Sequence, residues 1–234
     1  MQASLALSAL RDGRLEDADR LLGEIGDLSS QDMTAGLVTA QVRAELSLVR
    51  GDVVGGLAAF DRSLEATRQW GFGPLSTNGL EPWSLIALAT DLLAHVRYAE
   101  GPAQHARTAD LGAQIGDLLE KFSAVPDAAV DYPITGMSLA AFGCWLLSRD
   151  VTETRIEPAV RLLALARAFG YNRWFPVMDW EPMTALAEAA APGLLAAVLE
   201  EYDGRQGREL RPEAERVLAS VLGGLPGPDL TSSG

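Results

Sequence analysis

The 234-residue sequence predicts an all-α protein of about eleven helices, packed as antiparallel pairs in series. Three observations predict it. Leu and Ala supply 36 residues each while Ile and Val together supply 19, so the apolar 48% comes from helix formers and not from β-branched strand formers. Apolar residues recur at steps of three and four, as in Met33, Leu37, Ala40, Ala44 and Leu48, which places them on one helical face. Proline and glycine fall where helices start and stop.

Taken in order, helices are expected over 2–12 and 15–27, with the acidic residues Glu16, Asp17 and Asp19 complementing the dipole in the first turn of the second. Ser29 and Asp32 have the spacing of a capping box before a helix over 31–50. The turn Arg50-Gly51-Asp52 leads directly into a second stripe, Val53, Leu57, Phe60 and Leu64, over 53–70, and so short a connection forces antiparallel neighbours. Pro82, Pro102, Pro133, Pro158, Pro182, Pro192 and Pro212 are expected to open helices over 82–100, 102–122, 133–149, 155–169, 182–190, 192–203 and 209–223, because a missing N–H costs nothing there. Gly26, Gly51, Gly101 and Gly170 mark stops. The segments 71–81 and 123–132 are loops between pairs. Residues 1–70, 71–150 and 151–234 carry charges of −4, −5 and −4, with no compositional break, so residues 1–223 are expected to form a single helical-repeat domain and 224–234 a disordered tail.

The formal charge of −13 repels phosphate backbones and anionic membranes, which argues against direct nucleic-acid or membrane binding. One lysine, Lys121, among 19 basic residues points to a GC-rich coding sequence. A single cysteine, Cys144, leaves no intramolecular disulfide and no multi-cysteine metal site. With neither a signal-peptide pattern nor an apolar run long enough to span a bilayer, a soluble cytoplasmic protein is expected.

A repeat supports the stacked pairs. Gly13, Ala18 and Leu22 share their offsets with Gly51, Gly56 and Phe60, the pattern of the second half of a tetratricopeptide repeat, in which a small residue admits close helix approach and a large one fills the next gap. Gly101, Ala106 and Asp110 keep the first two positions, and Ala159 and Leu163 reappear further on. A tetratricopeptide-like solenoid is therefore expected. The stretch Arg161-Leu-Leu-Ala-Leu-Ala-Arg-Ala-Phe-Gly-Tyr-Asn-Arg-Trp-Phe-Pro-Val-Met-Asp-Trp-Glu181, following such pairs, resembles the C-terminal helical-repeat region of large actinobacterial transcriptional regulators, the antibiotic-regulatory-protein type and related ATP-binding regulators. The resemblance implies a sensor that governs DNA-binding or nucleotide-binding parts. This chain has no P-loop and no basic recognition helix, so those parts lie outside it on that reading.

Candidate chemistry is sparse. His95 and His105 lie on two helices, and Asp91 precedes His95 by four residues, a spacing that builds no recognised metal motif, so a structural role is expected and no metal or other cofactor is assigned. Cys144 sits in an apolar run as a small hydrophobe. No serine sits in a nucleophile elbow, so no catalytic residue is assigned. Glu200, Glu201 and Asp203 read as a solvated face. The densest feature is Phe169, Tyr171, Asn172, Arg173, Trp174, Phe175 and Trp180, since aromatic residues with arginine compose binding hot spots, although a loop pinned by its rings has the same composition. Tyr171, Asn172, Arg173, Trp174 and Trp180 are thus candidate binding residues, with Trp83 and Trp145 as candidate groove residues.

The expected function is a non-catalytic regulatory module that binds a peptide, a protein partner or a small effector in its groove, the partner including the regulator's own upstream domains. The alternative is a free-standing scaffold of repeats that self-associates as a homodimer without a ligand. A helical enzyme with a pocket near Trp174 is the third option.

Overall fold

The computed structural model describes residues 2–25, 33–69, 82–127, 130–149 and 153–223. Among them are eleven α-helices and no strand: α1 (Gln2–Arg11), α2 (Leu15–Ile25), α3 (Met33–Val49), α4 (Val53–Gln69), α5 (Pro82–Tyr98), α6 (Pro102–Glu120), α7 (Tyr132–Ser148), α8 (Glu153–Ala168), α9 (Trp180–Ala190), α10 (Leu194–Glu201) and α11 (Gly207–Leu222). Single 3₁₀ turns follow α6 and precede α9. No single helix among the described residues is long and apolar enough to cross a membrane.

Local rules set the helix ends. After α1, the Gly13 N–H bonds the Leu10 carbonyl and the Arg14 N–H reaches back to Ala9, a Schellman closure that requires the left-handed φ of 73° at residue 13. Gly51 repeats it after α3, with bonds to Leu48 and from Asp52 to Ser47, at φ 83°. The Asp52 carboxylate then accepts the Gly55 N–H and caps α4. Pro82 and Pro102 are the first residues of α5 and α6. Pro158 and Pro212 depart from expectation, each being the sixth residue of its helix. In α11 the Glu209 carboxylate accepts the Gln206 N–H and fixes an earlier start, which the proline then follows. Gly26, Ser29 and Asp32 lie outside the described residues, as do 224–234.

Neighbours in sequence pack together, α1 on α2, α3 on α4, α5 on α6 and α7 on α8, while the first helices also meet in series, α1 with α3, α3 with α5, α5 with α7 and α7 with α9. Small residues allow these approaches. A Cβ on Gly56 would meet the Leu48 side chain at 2.6 Å, and one on Gly143 would meet the Ala159 carbonyl at 3.0 Å. The third pair differs from the repeat expectation, because Ala106 is exposed and the close approach falls instead at Gly112, where a Cβ would overlap the Trp145 indole. The series also changes character at its C-terminal end. α9 and α10 are bent by 114° at the break that holds Gly193, and both α10 and α11 return to α8, α11 reaching α6 as well. The buried apolar residues form one cluster from Ala6 to Val221. Its centre is α5 and α7, each buried on every side over a long run, Leu85 to His95 and Gly136 to Leu147.

Candidate functional site

The aromatic segment after α8 is a strap across the first helices. Gly170 closes α8 with φ 68°, its N–H bonding Arg167 and that of Tyr171 bonding Ala166, so the chain leaves α8 in a defined direction. Phe169 and Tyr171 then press on α7 beside Gly136, where a Cβ would stand 3.0 Å from the Tyr171 Cβ and 3.2 Å from that of Phe169. Phe175, Val177 and Met178 are buried, and their 3₁₀ turn packs on α5. On α3, the Glu45 carboxylate accepts the Val177 N–H at 2.8 Å. At the end of α1, Arg11 pairs with Asp179 at 2.5 Å. The strap therefore touches α1, α3, α5 and α7.

Glu45 is the unusual group here. It is 1% exposed, and burial pushes its carboxyl up to about 7 against the opposing pull of the Val177 N–H and the nearby Arg97 cation. Burial also pushes the Tyr171 hydroxyl up to about 12, and that hydroxyl donates to the Met178 carbonyl at 3.3 Å. The Cys144 thiol, buried in α7, is likewise pushed up to about 12, so no thiolate nucleophile forms near neutrality.

The candidate binding residues separate into two groups. Tyr171 is buried, and Trp180 is half-buried with its ring 5.8 Å from that of Tyr171 and the Arg167 guanidinium 5.3 Å from its centroid. Trp145 is core, stacked on Phe142 at 5.4 Å and covered by Arg149 at 4.7 Å, and Trp83 is half-buried at the start of α5. Trp174, 48% exposed, stands at the surface with the exposed Arg173 and the half-buried Asn172. A cleft of about 450 Å³ opens elsewhere, between α8 and the turn after α10, bordered by Arg167, Tyr202 and Arg205.

Sequence spacing paired Asp91 with His95, but the packing of α4 and α6 completes their surroundings. Asp61 of α4 and Arg107 of α6 converge on the same point, joining a buried His95 and a fully buried Asp91. Glu45 and Asp61 were not among the expected site residues. A lone acid on a helical stripe carries no mark of burial, although Glu45 does fall between Ala44 and Leu46.

No family model, curated protein or solved structure matches the chain.

Proposed function

We propose that the chain is a non-catalytic, tetratricopeptide-like interaction module, the helical-repeat sensor of a transcriptional regulator, and that it receives a protein or peptide partner at Trp174. The observation that carries this reading is an exposed tryptophan beside an exposed arginine, on a strap held by four helices. Such a residue is presented at little entropic cost on binding, which is the property of an interface anchor. The serial packing of first helices supports the repeat assignment. The burial of the Cys144 thiol and the bond from the Tyr171 hydroxyl to the Met178 carbonyl give both groups a structural place in this reading.

The test places a photo-crosslinking amino acid at position 174 and, as a control, at the still more exposed Val54. The expected result is one defined heterologous adduct from position 174 and none from 54. Identical adducts from both positions, or none from either, would overturn the proposal. A self-adduct from position 174 would transfer support to the homodimeric scaffold, for which the exposed Leu5 on the outer helix α1 is the favouring observation.

A further inference from the structure

We propose that Asp61, Asp91 and His95 form a binding site for a divalent transition-metal cation, with zinc the best fit, tying together α4 and α5 under the control of Arg107 on α6. This inference is independent of the Trp174 proposal.

The site is built into the centre of the fold. Asp91 and His95 are one turn apart on α5, the helix buried on every side, and are 0% and 2% exposed. Asp61 comes from the neighbouring α4 and leaves the site an edge to solvent, its side chain being 34% exposed. His95 points to a missing ligand. Neither of its ring nitrogens makes a hydrogen bond among the described residues, although a buried imidazole ordinarily uses at least one. Its Nε2 faces two carboxylate oxygens, Asp91 Oδ1 at 3.5 Å and Asp61 Oδ2 at 3.6 Å. Both separations exceed the usual 2.7–3.2 Å of a hydrogen bond. They match another geometry. Ligand atoms 2.0–2.2 Å from a tetrahedral zinc stand about 3.3–3.6 Å from one another. The three ligand atoms all lie within 4.8 Å of one another.

Arg107 would ordinarily argue against a cation, yet its placement does the reverse. It engages the other oxygen of each carboxylate, Asp61 Oδ1 at 2.6 Å and Asp91 Oδ2 at 3.8 Å, and not the oxygens that face His95. A guanidinium on the rear oxygens orients the carboxylates as an outer partner of a metal ligand does. Asp110 pairs with Arg107 at 2.5 Å from outside. Asp61, Asp91 and Asp110 set three carboxylates around the single Arg107 guanidinium, an excess of negative charge that a divalent cation offsets. Two carboxylates and one imidazole supply three oxygen and nitrogen ligands, the number an open zinc site takes from the protein, with the fourth position filled from solvent on the Asp61 side.

The experiment is a zinc titration of the full chain after chelator treatment, read by competition with a chromophoric chelator and by thermal unfolding, alongside Co²⁺ loading followed by visible absorption. The proposal predicts one Zn²⁺ per chain, a rise in the unfolding midpoint on zinc addition, and the intense visible bands of tetrahedral Co²⁺. Asp61→Asn, at the partly exposed position, should weaken zinc binding about a hundredfold or more and remove the zinc-dependent midpoint rise. The rise is compared within each variant, so a lower starting stability does not obscure it. His95→Gln should do the same, and if that variant fails to fold, Asp61→Asn alone decides. Asp110→Asn, outside the ligand set, should retain binding within about tenfold. Absence of stoichiometric binding in the unmodified chain, or zinc affinity unchanged in Asp61→Asn, overturns the proposal.

Discussion

Replacing Glu45 with glutamine should stabilise the protein above neutral pH and leave it nearly unchanged in acid. The amide keeps the acceptor oxygen for the Val177 N–H while removing a charge that burial disfavours. In the folded chain Glu45 holds its proton up to about 7, whereas in the unfolded chain it releases it near the ordinary 4.5. Between those values the native state binds a proton that the unfolded state does not, so native stability falls as pH rises, and the full penalty is present above about 7. A displacement of that size corresponds to about 3 kcal/mol. Urea unfolding of both forms from pH 4.5 to 8.5 gives the assay. The expected advantage of Glu45→Gln is near zero at pH 4.5, grows through pH 5–7 and levels off at about 2–3 kcal/mol. A difference that does not vary with pH, or a glutamine variant that is the less stable above pH 7, would refute the reasoning that desolvation dominates at this carboxyl.

Other perturbations test packing, exposure and ion pairing separately. Gly112→Ala should lose about 1–3 kcal/mol and shift tryptophan emission, because the added methyl overlaps the Trp145 indole; a gain of about 1 kcal/mol, the helix-propensity effect alone, would contradict the close approach of α6 to α7. Trp174→Ala should alter unfolding free energy by less than about 0.5 kcal/mol, since the ring is 48% exposed, and a larger loss would show that the ring supports the core. Arg161, only 18% exposed, binds Glu157, Glu201 and the Tyr202 hydroxyl, joining α8 to α10 and the turn beyond it. Arg161→Met should therefore cost about 1–3 kcal/mol in chemical denaturation, and the gap should narrow in 1 M salt.

Helix positions were legible in the sequence because their causes are local. The Gly13 and Gly51 closures depend on bonds that span at most five residues, and Asp52 caps α4 from three residues away. Met33 to Leu48 and Val53 to Leu64 disclosed their stripes by spacing alone. The same locality explains the departures. Pro158 marked a helix correctly but not its start, since α8 begins at Glu153, a turn and more before the proline. Ala106 held the repeat spacing, yet Gly112 is the residue against Trp145, because the face that α6 turns inward is set by α5, α7 and α11 together.

The candidate site was legible only in part. Its aromatic composition drew notice to the strap, and its chemistry did not follow from that composition. The sequence by itself determined an all-α chain, its helix order and the confinement of Asp91 and His95 to one helical turn, since backbone preference and amphipathic period act over a few residues. Tertiary structure decided that Glu45 fastens a residue 132 positions away, that Tyr171 is buried while Trp174 is exposed, and that Asp61 and Arg107 complete the surroundings of His95. Those outcomes depend on which helix faces are pressed together and which carboxylates lose their water, and burial of that kind exists only once the distant segments have met.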